Sequence, residues 1–259
     1  MPTFLIDNII FGPINSRRLG ISLGVNLLPP NRKICTFDCV YCECGFNKDG
    51  NKSNNKFPKR EAVKQALEER LKEISEKKEK LDSITFSGNG EPTLHPEFKE
   101  VIEDTITLRD IYYPEAKISV FSNSTTISSP SVFRALRKID NNILKLDAAF
   151  DPIMKNIDQP TLKDFNLEKL IRGLKKFNGN LIIQTIFLKG NNNGQSADNT
   201  LPENISHWVK LITEINPKLV MIYSLDRETP SKTLEKVSKK ELEIIADKLR
   251  EINIPVSVS

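Results

Sequence analysis

The chain predicts an α/β fold built on a parallel sheet. Six short apolar runs begin at Ile21, Leu81, Lys117, Asn142, Asn180 and Leu219, and they alternate with stretches of helical periodicity. Strands that alternate with helices pair in parallel through right-handed crossovers. Polar residues recur at the ends of these runs, where parallel α/β folds place their active sites. The 259 residues, 38% hydrophobic and 28% charged, suit one α/β barrel domain over residues 1–259 with a sizeable core.

Each element has a local reason. Residues 11–20 hold two glycines and a proline and read as a loop. Arg17 and Arg18 in that loop either face an anion or form an ordinary surface pair. Ile21 to Leu28 is the first strand, stopped by Pro29 and Pro30. Residues 45–58, rich in Asn, Lys and Gly, read as a mobile surface loop. From Lys59, Val63, Leu67, Leu71 and Ile74 form one helical stripe. The strand from Leu81 to Phe86 leads into Ser87-Gly88-Asn89-Gly90-Glu91-Pro92, and a helix runs from about Pro96 to Arg109. His95, at its start, serves either catalysis or the helix start. The later strands end at Ser122-Asn123, at Asp147 and at Tyr223, and Gln184 lies within the fifth. Helices are expected over 131–139, 167–177, 202–215 and 239–252. A short last strand, Pro255 to Val258, pairs at an edge. Two late loops are candidates for substrate recognition. Residues 190–195 form either a lid or a disordered connection, and residues 224–230 carry Arg227, either a substrate clamp or the partner of Asp226 or Glu228.

The chemistry concentrates in Cys35-Thr36-Phe37-Asp38-Cys39-Val40-Tyr41-Cys42, which holds three of the four cysteines. Three thiolates on one short loop can converge on an inorganic centre, and iron–sulfur clusters are held by cysteine thiolates. A structural zinc site with Cys44 as fourth ligand is the alternative, cramped at this spacing. With only two histidines in the chain, mixed Cys/His sites have few donors. Downstream, Gly88 and Gly90 let backbone approach a ligand closely. A plain strand-to-helix turn, with Pro92 near the helix start, is the other reading.

The cysteine loop resembles the cluster loop of the radical S-adenosylmethionine (radical SAM) superfamily, including Tyr41 before the last cysteine. Gly88 to Pro92 resembles that family's glycine-glycine-glutamate-proline turn, with Asn89 set between the glycines. The resemblance runs from about Phe11 to Leu225 and implies an open, partial (β/α)6 barrel. It implies a [4Fe–4S] cluster on Cys35, Cys39 and Cys42, with Cys44 a spare thiol and SAM chelating the open iron. It places Gly88, Asn89, Gly90 and Glu91 around the methionine part of SAM, and Tyr41, Ser122, Asn123, Asp147 and Gln184 around the rest. For the strand-end residues the alternative is a helix cap or turn. The implied reaction is reductive cleavage of SAM to a 5′-deoxyadenosyl radical that takes hydrogen from a substrate. Such an oxidoreductase requires an electron donor of flavodoxin or ferredoxin type.

Ser16-Arg17-Arg18-Leu19-Gly20 matches the start of a group distantly similar to the enzymes that build the wyosine base of tRNA, which leaves a nucleoside or RNA open as substrate. A net charge of +4 does not by itself argue for nucleic acid. Two other readings stand beside this one. The first is an activase that makes a glycyl radical on a partner protein, and the second a non-catalytic zinc module. No apolar run reaches the roughly 18 residues of a membrane span. Met1 to Asp7 lacks the features of a secretory signal, so a cytoplasmic protein with reduced thiols is expected.

Overall fold

The computed structural model describes residues 4–47, 56–227 and 229–259. Its principal sheet has eight strands in the order β1 (Ile10–Ser16), β2 (Gly20–Val25), β3 (Ser83–Phe86), β4 (Lys117–Ser122), β5 (Asn141–Lys145), β6 (Ile182–Ile186), β9 (Leu219–Tyr223) and β11 (Val256–Val258). All neighbours are parallel except β1 and β2, which form an antiparallel hairpin at one edge. The sheet curls into a half-barrel. Helices α1 (Arg60–Glu76), α2 (Phe98–Tyr112), α3 (Pro130–Leu136), α4 (Asp151–Asp158), α5 (Leu167–Lys175), α6 (Pro202–Ile215) and α7 (Lys239–Arg250) link its strands. A second sheet, β10 (Leu234–Lys236), β7 (Leu188–Asn192) and β8 (Gln195–Ser196), follows from the ends of β6 and β9.

Strand periodicity explains the two faces of the curl. Alternate residues Leu23, Val25, Ile84, Phe86, Ile118, Val120, Ile183, Val220 and Ile222 are buried in the main core. They share that core with the stripe Val63, Leu67, Leu71 and Ile74 of α1, and each buried aliphatic side chain contributes roughly 2 kcal/mol. The intervening residues face the lumen. In the first half of the sheet they are small and polar, so they satisfy one another. Ser22 and Thr85 lie 2.7 Å apart, Ser83 and Ser119 2.9 Å, and Asn141 Nδ2 donates to Ser119 at 3.1 Å. In the second half, register aligns Phe121, Ile143, Ile182 and Leu219 in one luminal row and Lys145, Gln184 and Met221 in the next.

The six expected strands are all present, and the C-terminal strand pairs with β9 as the edge of the sheet. Two expectations are corrected, and one element is added. Residues 10–16 are strand β1 and not loop. Their glycine and proline sit at an edge, where the register shifts between Phe11 and Ile14, and an edge strand tolerates a residue that cannot donate. Residues 190–195 are not a disordered connection. They form the β7–β8 hairpin, anchored by β10 through the pairs Leu234–Gly190 and Lys236–Leu188. Helix α4, between β5 and α5, was not anticipated. Part of the expected 45–58 loop lies outside the described residues.

Candidate functional site

The cysteine loop follows β2 and is clamped on both sides by backbone. On one side, Ile34 N donates to Asn89 O at 2.9 Å and Glu91 N donates to Ile34 O at 3.0 Å. This bridge requires Gly90, since a Cβ there would sit 1.9 Å from Ile34 O, and its φ of +131° is rare for a side-chain-bearing residue. On the other side, Asp38 N and Val40 N donate at 2.9 Å to the carbonyls of Asp158 and Ile157 at the end of α4. Thr161 N reaches Thr36 O at 2.9 Å. The loop is therefore shaped from outside, which a short irregular segment needs.

All four cysteines are free thiols. Burial pushes the Cys35 thiol up to about 12. Burial and the Asp158 carboxyl together raise Cys39, whose Sγ donates to Asp158 Oδ1 at 3.2 Å. Cys42 is held down at about 6, chiefly by a hydrogen bond from the Cys44 thiol, which is itself held up. The Cys44 sulfur also lies 3.3 Å from Gly88 O. Two amide donors, Phe37 N and Asn123 Nδ2, each approach Cys35 Sγ at 3.4 Å.

Beneath the loop lies Lys33, with a side chain 1% exposed. Its ammonium donates to Asp38 Oδ1 at 3.2 Å and to Gly45 O at 3.1 Å. Burial works against the charge, yet Cys42, Cys39, Cys35 and Asp38 hold the Lys33 pKa well above its ordinary value. A buried cation facing three thiols and one carboxylate suits a centre with net negative charge. Among the described residues no three His, Cys, Asp or Glu side chains already stand as a metal site. Bringing the three sulfurs onto one centre requires rotamer changes within the clamped loop. The donor set, the buried ammonium and the amides aimed at sulfur fit an iron–sulfur cluster.

The glycine turn is built as a scaffold. Asn89, fully buried, accepts from Ile6 N at 2.8 Å and donates to Ile6 O and Pro29 O, each at 2.9 Å. Its side chain thus ties the N-terminal segment to the turn and leaves only backbone toward the cysteine loop. Asn89→Ala would leave Ile6 N and Pro29 O without this partner. We expect a loss of about 2–3 kcal/mol in urea unfolding. A change below roughly 0.5 kcal/mol would refute the scaffold role. Glu91 is also buried. Its Oε1 accepts from Thr93 N at 3.1 Å and Thr93 Oγ1 at 2.5 Å, and its Oε2 accepts from Asn123 N at 2.6 Å. Burial raises the Glu91 pKa against these hydrogen bonds and a further one from Ser122. Asn123 in turn donates to Thr36 Oγ1 at 2.8 Å, so Glu91, Ser122 and Asn123 join the end of β4 to the cysteine loop.

A second polar group lies at the mouth near Cys39. Lys145 Nζ contacts the Tyr41 hydroxyl and donates to Asp147 Oδ2 at 3.0 Å, and Tyr41 donates to the same oxygen at 2.5 Å. Asp147 Oδ1 accepts from Ile186 N at 3.0 Å. Burial and the neighbouring Asp147 push the pKa of the fully buried Asp158 above the usual carboxylate range. Its Oδ2 is enclosed and makes no hydrogen bond.

The structure thus gathers Cys35, Cys39, Cys42, Cys44, Gly88, Glu91, Asn123, Tyr41 and Asp147 around one mouth, with Gln184 in the luminal row beside Lys145. His95 serves the helix start: its Nδ1 accepts from Glu97 N at 3.1 Å, which leaves Nε2–H to donate to Pro58 O at 2.8 Å. Arg227 pairs on the surface with Glu43 at 2.6 Å; the suggested partner Asp226 instead takes Arg17 at 2.9 Å, and Glu228 lies outside the described residues. Lys33, Lys145 and Asp158 were missed. Lys145 left a signal, a charge at an alternating position between Leu144 and Leu146 in a parallel strand. Asp158 left none.

The model of the radical SAM superfamily matches residues 33–200, a span that contains both the cysteine loop and the glycine turn. The chain belongs to the radical SAM superfamily. Among relatives of this radical SAM chain, the UPF0026 protein of Helicobacter pylori is 30% identical over 236 residues, covering 90% of this chain and 71% of that one. The UPF0026 protein of Methanocaldococcus jannaschii is 32% identical over 213 residues, and the match spans 61% of its length. Among solved structures, Streptococcus suis SuiB bound to S-adenosylmethionine superposes with a TM-score of 0.64 at 16% identity, over 89% of this chain and 49% of that one. TYW1 with a lysine–pyruvate adduct bound superposes with a TM-score of 0.62 at 18% identity, over 90% and 74%. At these identities the two structures share the radical SAM fold with this chain. The family's cofactors are a [4Fe–4S] cluster and SAM. No helix among the described residues is long and apolar enough to cross a membrane.

Proposed function

We propose that this chain, read as one domain over residues 1–259, is a radical SAM oxidoreductase that cleaves SAM reductively and abstracts hydrogen from a substrate. The observation that carries the reading is the clamped loop with Cys35, Cys39 and Cys42 over the buried ammonium of Lys33. When bound, the cluster and SAM supply one-electron cleavage of the sulfonium bond. The chain's own residues do the rest. Cys35, Cys39 and Cys42 hold the metal, and Lys33 offsets its charge. Gly88 O, 3.3 Å from the Cys44 sulfur, offers an acceptor for the methionine amino group at the rim of that loop. Tyr41, Asp147 and Gln184 line the mouth where adenosine fits, and Ser122 and Asn123 support the side nearest Cys35. An electron donor of flavodoxin or ferredoxin type completes the system, and the cytoplasm is the compartment that keeps the thiols reduced.

The test is anaerobic. Protein reconstituted with iron and sulfide, then given SAM and dithionite, should form 5′-deoxyadenosine. Zinc without sulfide in the purified protein would instead support the non-catalytic module. A loaded cluster that never consumes SAM would reject the reading.

A further inference from the structure

The turn of the β1–β2 hairpin carries two adjacent arginines with different surroundings. Arg17 is largely exposed and pairs with Asp226. Arg18 folds inward. Its guanidinium lies over the ring of Phe121 at 5.2 Å and over that of Tyr223 at 4.9 Å. Phe121 is in the first luminal row, and Tyr223, opposite Ile186, follows Leu219 and Met221 on the same face. Its Nη1 is enclosed and has no hydrogen-bond partner, and among the described residues no carboxylate pairs with it. The buried carboxyls at the mouth are already engaged: Asp147 faces Lys145 at 3.0 Å, and Asp158 accepts from the Cys39 thiol at 3.2 Å.

An enclosed guanidinium N–H with no partner is costly unless something completes it. Two rings hold the guanidinium against the luminal face, and its charge and unpaired N–H suit a planar or tetrahedral oxyanion. On the same luminal face, the Gln184 amide and the Tyr223 hydroxyl make no hydrogen bond to another described residue, so further donors stand free. We propose that Arg18 is the anchor for an anionic substrate, one bearing a carboxylate or a phosphate, seated in the lumen beneath the cofactor mouth. This deepens the function proposed above and rests on it. Arg18 is on the hairpin turn that joins the N-terminal end of β2, whereas the cysteine loop follows that strand's C-terminal end. The Arg18 guanidinium nevertheless reaches Phe121 and Tyr223 near the C-terminal ends of β4 and β9, so SAM affinity is the measurement that separates substrate from the methionine carboxylate.

The test uses reconstituted, SAM-loaded protein titrated calorimetrically with inorganic phosphate and, separately, with acetate; the better-bound ion identifies the headgroup. We expect saturable binding of at least one, weakened about tenfold or more in Arg18→Met, where the fork is gone. Arg18→Lys keeps the charge, folds with less risk, and should fall between the two. SAM affinity should stay within about twofold, since no contact to the cofactor is removed. Arg17→Met should match the wild type in every measurement. Unchanged anion binding in Arg18→Met, or no anion binding by the wild type, overturns the proposal. A parallel loss of SAM affinity also overturns it, by giving Arg18 to the cofactor. Formation of 5′-deoxyadenosine is followed separately, so failure of the enzyme reading is distinguishable from failure of the anion site.

Discussion

Single replacement of Cys35, Cys39 or Cys42 by alanine is expected to reduce bound iron from about four atoms per chain to near zero, with parallel loss of sulfide. The effect should be close to complete because the three thiols share one clamped loop, and no neighbouring histidine can substitute: His95 is engaged with Pro58 and Glu97. Cys44→Ser should retain full iron and sulfide. Its sulfur contacts Cys42 and Gly88 O, and a hydroxyl can keep the second contact. Iron and sulfide assays after anaerobic reconstitution decide the matter, with far-UV circular dichroism confirming that each variant folds. Cys39→Ala deserves that control most, since Cys39 is buried in the main core and bonds Asp158. Iron lost in Cys44→Ser but retained in Cys35→Ala would mean that the ligand set is wrong.

What could be foreseen divides along a physical line. The strands β2 to β6 and β9 announce themselves because each buries one alternating face under a helix, and that pattern is written locally. The cysteine loop and the Gly88–Glu91 turn are also local, since their chemistry depends on spacing within ten residues or fewer. The misreadings come from partners far away in sequence. Gly12 and Pro13 favour a loop until β2 is available to pair, with Phe11 lying against Gly24. Residues 190–195 become ordered through β10, about forty residues later. Helix α4 spans eight residues, too short for a periodic stripe, although Pro152 at its start is the residue type that favours such a beginning. Within the site, Asn89 breaks the glycine pair for a structural reason visible only once Ile6 folds against it. Lys33 likewise looks like any surface lysine until the loop closes over it.

The second large effect concerns Lys145. Its side chain is 15% exposed and faces Asp147, which is 1% exposed. Burial opposes the ammonium, but Asp147, Cys39 and Asp158 hold the Lys145 pKa well above its ordinary value, so the charge persists. Lys145→Met removes that charge and leaves the Asp147 carboxylate buried with only neutral donors, Tyr41 and Ile186 N. Breaking one side of a buried pair costs about 3–5 kcal/mol, and we expect a loss in that range by chemical denaturation. Lys145→Met/Asp147→Asn should recover most of it. An asparagine Oδ1 can still accept from Ile186 N, its amide can donate to Tyr41, and no unpaired charge remains. If the double variant is no more stable than the single one, Lys145 acts through packing and its cationic contact with the Tyr41 ring, at 4.7 Å, instead of through its pairing with Asp147. The pair is thus separable from the cysteine loop: the neutralised double variant should still load iron, because Lys33 and not Lys145 lies beneath all three thiols.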